Sequence, residues 1–310
     1  MSAAADTYDF IVVGTGSAGS CVAARLSEVS DVSVLALEAG GEPYPENVTN
    51  PALWYTLFGT SVDWGYLSIP QKALGGRPTY EPRGKMPGGS SNLYIMMHIR
   101  GHRSDYDNWA YNGCPGWSYA ECLEFFQKLE DQEDDTNPTG GKGGPIHLSN
   151  ASLHDPNPTS RAFLDACAEL GFPSTDDFNG PNMEGAGWHH INVKDGKRFS
   201  TREGYLEPAS YRENLTVSQH SHATRLILEN GRCVGVEYVK DGEKQTARAT
   251  REVIVSCGAI ESPHLLMVSG IGAPPTGGRS DPGCPSTGKA SSTSENSALT
   301  GHPIGAYLSG

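Results

Sequence analysis

Long apolar runs are missing from this sequence of 310 residues: no stretch of about 18 apolar residues occurs, so no membrane-spanning helix is expected. Basic charge is also scarce. Lys and Arg number 23 against 36 Asp and Glu, a formal net charge of −13. That balance weighs against nucleic acid or an anionic membrane as a partner. Cysteine is sparse and unpatterned: Cys21, Cys114, Cys122, Cys167, Cys233, Cys257 and Cys284 form no C-x-x-C. Scattered thiols in odd number exclude a disulfide framework or a zinc site and suit a reducing compartment. The opening MSAAADTYDF lacks the basic and apolar regions of a secretory signal, so a cytoplasmic protein is expected. The sequons at Asn47, Asn150 and Asn214 are accordingly read as chance. What is plentiful is Gly (38) and Pro (21), which with 37% hydrophobic residues suits a loop-rich globular enzyme of one large or two ordinary domains.

The sequence is organised around residues 8–40. Tyr8–Val13 is a short apolar run fit for a strand buried on both faces. Gly14-x-Gly16-x-x-Gly19 follows directly, with Ser17 and Ala18 opening a helix whose Ala18, Cys21, Val22 and Leu26 share one face. A second apolar run, Val32–Leu37, ends at Glu38-Ala39. Gly14 allows a tight turn, Gly16 lets backbone approach a pyrophosphate, and Gly19 lets helix and strand pack closely. The helix N-terminus offers N–H groups to phosphate, and Glu38 is placed to accept from ribose hydroxyls while repelling a 2′-phosphate. The order strand, glycines, helix, strand, acid predicts dinucleotide binding, without separating FAD from NAD.

Two later blocks have related form. Asp63-Trp64-Gly65-Tyr66 leads to Arg83-Gly84-Lys85-Met86-Pro87-Gly88-Gly89-Ser90-Ser91-Asn92, a glycine turn before an apolar, helix-compatible segment; a ligand-facing loop and a Ser-capped helix start both fit it. Ser118 predicts an N-cap for a helix over 120–130, and the acidic run from Glu130 to Asp135 reads as a solvated loop, not a metal site. A helix over 159–171 closes at Gly171. Residues 214–257 read as a small antiparallel unit with turns at Asn230-Gly231 and Asp241-Gly242, returning to a buried strand. The strand to Cys257, then Gly258, then Ser262-Pro263 opening a helix that stops at Ser269-Gly270 make a third turn of the same type.

On these blocks the sequence resembles the glucose–methanol–choline (GMC) flavin oxidoreductases over about residues 7–272. Gly258-Ala259-x-x-Ser262-Pro263-x-Leu265-Leu266-x-x-Ser269-Gly270-Ile271-Gly272 matches the family's second signature. Arg100–Asp107 and Tyr205-Leu206 also resemble family segments. The resemblance implies an α/β chain: a Rossmann-like FAD-binding domain over 7–150 and 214–272, and a partial α+β substrate domain over 151–213. It implies FAD as cofactor and oxidation of the CH–OH group of a small alcohol, a base taking the hydroxyl proton as hydride passes to flavin N5. Gly14, Gly16, Ser17, Ala18, Gly19, Glu38 and Ala39 would hold the ADP half. Trp64, Arg83, Gly88, Gly89, Ser90 and Asn92 would lie along the cofactor. Ala223 would hold adenine through its backbone, and Gly258, Ala259 and Ser262 would lie near the ADP portion.

The sequence also departs from the family pattern. Pro87, Tyr94 and His98 stand where an apolar residue, an Asn and an aromatic are usual, and Tyr94 would put a large ring beside the flavin. Family members usually continue well past Ser-Gly-Ile-Gly, into the part that brings the catalytic His. Here residues 273–310 contain 23 Gly, Pro, Ser or Thr among 38, which predicts a disordered tail and a C-terminally truncated enzyme. His302 is not read as the base, and His189 and His190 are read as structural or solvent-facing, on opposite faces of a strand. No catalytic residue and no metal ligand is therefore assigned. A non-catalytic FAD-binding fragment or pseudoenzyme is the alternative to an active oxidoreductase, and uncovered sheet edges predict self-association. The electron acceptor is not legible.

Overall fold

The computed structural model describes residues 6–272; the tail expected over 273–310 lies outside the described residues. In chain order the principal elements are β1 (Asp6–Val13), α1 (Ser17–Leu26), β2 (Val34–Leu37), β3 (Met97–His98), α2 (Arg103–Tyr111), α3 (Tyr119–Leu129), β4 (Glu130–Gln132) and β5 (Ile146–Asn150). There follow α4 (Pro158–Glu169), β6 (His190–Ile191), β7 (Leu215–Ser218), β8 (Ser221–Glu229), β9 (Arg232–Lys240), β10 (Glu243–Val255) and α5 (Gly258–Val268). They form two compact units: described residues 6–45, 55–93 and 201–272 make the first, and residues 46–54 and 94–200 the second.

The first unit is a mixed α/β fold on a six-stranded sheet, in the order β7-β2-β1-β10-β9-β8. β7, β2, β1 and β10 run parallel, and the continuous apolar runs Ile11–Val13, Val34–Leu37 and Val253–Val255 sit in β1, β2 and β10, where they are buried on both faces. In register, Val13 stands opposite Leu37 on one side and Val255 on the other. These side chains and Ile11, Leu35, Leu226, Val236 and Leu265 share one buried core. The hairpin turns follow from local chemistry: Asn230, Gly231, Asp241 and Gly242 all have positive φ, the backbone that two-residue hairpin loops need.

Two details of this unit differ from the sequence expectation. β7 is not part of the antiparallel group; it pairs parallel with β2 as an edge strand, its Ser218 opposite Leu37. The last helix starts at Gly258, not at Ser-Pro, so Pro263 lies inside it and one ladder hydrogen bond is lost.

The second unit holds a four-stranded sheet, β3-β6-β5-β4. That sheet explains why the division falls elsewhere than the sequence suggested. Residues 94–150 carry β3, β4 and β5, which pair with each other or with β6, so they lie with 151–200. Residues 201–213 lie in the first unit, where the π-helical turn Arg202–Leu206 presents Tyr205 to Arg25 of α1 at 5.5 Å. The segment after Asn92 forms no α-helix: Met96 is at φ 65 and β3 follows at once. α2 and α3 each begin with a capping box, on His102 and Ser118.

The acidic run is a further correction, except at Asp135, which is solvent-exposed as expected. Its carboxylates take specific partners: Glu130 on β4 pairs with Arg100 and His98, Asp131 with His147, Glu133 with His154 and Asp134 with His190. Burial explains Glu130, since a buried carboxylate is tolerated only when paired and hydrogen-bonded, whereas Asp131, Glu133 and Asp134 pair nearer the surface. Glu130 is 1% exposed. Burial pushes its carboxyl up, but hydrogen bonds from His98 and Arg100 outweigh this and bring it down to about 2.

Candidate functional site

Parallel strands expose unpaired backbone and loop chemistry at their C-terminal edge, and this is where open α/β sheets bind ligands. In the first unit that edge is knitted by Gly14 N–H to Leu37 O (2.8 Å), Glu38 N–H to Ser218 O (2.9 Å) and Ser256 N–H to Val13 O (2.9 Å). The turn after β1, the acid after β2 and the turn after β10 are thereby brought side by side.

The glycines act by absence of bulk. Gly14 has φ +88, and a Cβ there would stand 2.8 Å from Ser256 O. A Cβ on Gly19 would lie 1.8 Å from Gly14 O, so α1 packs on the turn itself. Gly16 is the N-cap of α1, Ser17 and Ala18 begin its first turn, and no side chain caps that end. The N–H groups there remain available to an anion.

The second glycine turn meets the first. Gly88 N–H donates to Thr15 O at 2.7 Å, and a Cβ on Gly89 would stand 2.8 Å from Gly16 Cα. Ser90 Oγ accepts from Gly84 N–H (3.1 Å), and the buried Asn92 donates to Pro87 O (2.9 Å), so both hold the turn's shape. Arg83 is turned onto its own chain, its guanidinium donating to Pro82 O at 2.6 Å.

Glu38 is 5% exposed at the end of β2. Its Oε2 accepts from Thr15 N–H (3.0 Å) and Thr15 Oγ1 (2.8 Å), and its Oε1 from Gly40 N–H (3.0 Å). Burial pushes the carboxyl up, opposed by the donors of Gly40, Thr15 and Ala39. Ser221 N–H donates to Glu38 O at 2.7 Å, which brings the start of β8, and so Ala223, to this edge. Beside Ala223, the His222 ring meets Trp64 edge-on at 5.4 Å, and Trp64 stacks on Tyr66 at 5.8 Å with Lys85 Nζ 4.7 Å from its ring centre. Tyr66 in turn donates to Glu261 of α5. Gly258 has φ +85 with open space where a Cβ would point, Ala259 follows it in α5, and Ser262 Oγ accepts from Cys257 N–H at 3.0 Å.

Sequence reasoning missed Thr15, Ser221, Ser256, His222, Lys85 and the pair Tyr66–Glu261. Only Thr15 carried a local signal, a hydroxyl inside Gly-x-Gly; the others are assembled by strand order. Tyr94, expected beside a flavin, belongs to the second unit and donates to Asn192; burial pushes its phenol up to about 12. His190 of β6 is buried, and the His189 ring stacks on Phe178 at 4.4 Å. Among the described residues no cluster of His, Cys, Asp or Glu suits a metal ion, and no helix is long and apolar enough to cross a membrane.

The arrangement combines free helix N-terminal N–H groups, two glycine turns in backbone contact and a buried acceptor. This set fits a phosphate pair linked to a hydroxyl-bearing sugar.

The sequence matches the family model described as GMC oxidoreductase over residues 8–308. It is similar to mitochondrial choline dehydrogenase of Mus musculus, 42% identical over 275 residues, covering 86% of this chain and 46% of the relative. It is similar also to an oxygen-dependent choline dehydrogenase of Rhizobium etli, 40% identical over 265 residues, covering 85% and 48%. Among solved structures, pyridoxine 4-oxidase from Mesorbium loti superposes with a TM-score of 0.81 at 38% identity, covering 85% of this chain and 52% of that one. Formate oxidase superposes with a TM-score of 0.78 at 30% identity, covering 87% and 48%. The chain thus spans about half the length of these relatives.

Proposed function

Because the chain belongs to the GMC oxidoreductase family, we propose that it carries the FAD-binding part of an enzyme that oxidises the CH–OH group of an alcohol. One observation carries the reading: two glycine turns meet, backbone to backbone, beside a buried carboxylate at the C-terminal edge of a parallel sheet. In this reading Gly14, Gly16, Ser17, Ala18 and Gly19 receive the pyrophosphate on backbone N–H groups. Glu38 and Ala39 receive the ribose, and Trp64 and Ala223 flank adenine. Arg83, Gly88, Gly89, Ser90 and Asn92 line the path toward the flavin, and Gly258, Ala259 and Ser262 support the ADP half. When bound, FAD supplies the hydride acceptor, its flavin N5. The residues named bind and orient; none is assigned the base that takes the hydroxyl proton.

The alcohol as substrate is supported by the choline dehydrogenases among the relatives. A cytoplasmic setting belongs to the same proposal, supported by the scattered, unpatterned cysteines of the sequence, and the relatives include mitochondrial enzymes. So does self-association, supported by exposed apolar side chains such as Ile69 (79%) and Leu67 (67%).

The test is a visible spectrum of the purified chain, with added FAD and then, anaerobically, with a panel of alcohols. Flavin bands that an alcohol bleaches are expected. Bands that no alcohol bleaches would reduce the reading to FAD binding, and a chain that takes up no FAD would sink it.

A further inference from the structure

Thr15 fills the variable position of Gly14-x-Gly16 and is fully buried. Its φ is not among the positive ones, so any small residue could follow this backbone path. The hydroxyl therefore answers to something other than the turn. Both donors of Thr15 reach one atom, Glu38 Oε2, the N–H at 3.0 Å and the hydroxyl at 2.8 Å. Its carbonyl accepts from two other elements, Ser20 Oγ of α1 at 2.7 Å and Gly88 N–H of the second glycine turn at 2.7 Å. One residue thus ties the acid, the helix and the second turn together.

The acceptor count of the carboxylate gives this a direction. Each carboxylate oxygen accepts about two hydrogen bonds. Thr15 fills both positions on Oε2, whereas Gly40 N–H sits on Oε1 and Ala39 N–H also donates to the carboxylate. A ligand hydroxyl is left with Oε1 to address. Thr15 also donates to the ionised form of a buried acid, opposing the burial that favours the neutral one.

We propose that Thr15 is a positioning residue for the dinucleotide: its hydroxyl fixes which oxygen of Glu38 faces the ribose, and its carbonyl holds that acid in register with the Gly88 turn. The inference rests on the FAD-binding reading above.

The experiment is FAD titration of the chain, followed by quenching of flavin fluorescence over about pH 5 to 9, where ionisation of a raised carboxyl is visible as linkage. Thr15→Val, Thr15→Ala, Thr15→Ser, Glu38→Gln and the double variant Thr15→Val/Glu38→Gln are compared. The valine and alanine variants should bind FAD roughly tenfold more weakly or worse, the scale of one lost hydrogen bond to a charged group. The pH below which affinity falls should move upward in both, because the neutral acid gains. Thr15→Ser should restore affinity and profile, and the double variant should bind no more weakly than Glu38→Gln alone. Valine and alanine variants that match the parent chain, or that weaken equally at every pH and add to Glu38→Gln, would overturn the inference alone. A parent chain that takes up no FAD at any pH would overturn the FAD reading and this inference with it.

Discussion

Gly16 and Gly89 lie against each other so closely that a Cβ on Gly89 would stand 2.8 Å from Gly16 Cα, while a Cβ on Gly16 would stand 3.8 Å from Gly89 Cα. The asymmetry separates folding from binding. Gly89 also has φ +51, so Gly89→Ala combines strain with a clash against backbone and should cost about 1–3 kcal/mol of stability by denaturant titration. Gly16 has φ −68 and room for a methyl group. Gly16→Ala should keep stability within about 1 kcal/mol yet weaken FAD binding at least roughly tenfold, since the methyl enters the surface a pyrophosphate approaches. Equal FAD affinity in Gly16→Ala and the parent chain would argue that no pyrophosphate approaches Gly16.

Gly19→Ala should behave differently again. Its Cβ would lie 1.8 Å from Gly14 O and 2.7 Å from Ser256 Oγ, and the first of these is backbone that cannot step aside. Separating α1 from the sheet should cost about 3 kcal/mol or more, read as a lowered melting temperature with or without ligand. A melt unchanged from the parent chain would place α1 elsewhere.

The contrast among these glycines shows what a sequence makes legible. Tyr8–Val13, the glycine turn, α1 and Glu38 were readable because each depends on residues near in sequence: an apolar run, a missing Cβ, a helical face. Asn230-Gly231 and Asp241-Gly242 were readable for the same reason. β7 was misjudged because Leu215–Ser218 has the same alternation whether its neighbour runs parallel or antiparallel, and the neighbour, β2, lies far away in sequence. The acidic run was misjudged because its partners His98, Arg100, His147, His154 and His190 arrive from other strands and loops of the second unit. Thr15 was passed over because its role lies in Glu38, 23 residues on.

His190 makes the second unit's stability depend on pH from both sides. Its ring is buried, with Nε2 3.1 Å from Asp134 and Nδ1 3.5 Å from Asp177, and His189 is the other titratable group beside it. Ionised carboxylates only accept, so both nitrogens must carry protons to satisfy both. Burial pulls the imidazole down, but Asp177 and Asp134 overcome it and hold it above its usual value. A raised folded value stabilises below the unfolded one, about 6.5, and the benefit is lost as pH rises through the folded one. Asp134 is held below the usual range by Gln132, Asn150, His190 and Thr136 against its burial, so its benefit is present above about pH 4 and lost in acid. Melting temperature should therefore be highest between about pH 5 and 6.5 and fall on either side. His190→Gln should flatten the alkaline side and destabilise at every pH. An alkaline slope that survives this substitution would assign it to another group.

Arg100 and Glu130 give the sharpest test of the paired acid row. Both side chains are almost fully buried, at 2% and 1% exposure, with Arg100 Nε 2.8 Å from Glu130 Oε1 and a second contact from its other guanidinium nitrogen to Oε2. Gly141 N–H adds a third donor at 3.1 Å. Removing one ion of such a pair leaves the other buried without compensation, a loss of about 3–5 kcal/mol, whereas removing both is far milder. Arg100→Met should therefore destabilise strongly and Glu130→Gln less, because an amide still accepts from Arg100 and Gly141 through its oxygen. The double variant Arg100→Met/Glu130→Gln should recover part of the loss, giving a coupling of about 1–3 kcal/mol in a denaturation cycle. Strict additivity would mean that the two groups are solvated independently and that the row is the solvent-facing loop its sequence suggests.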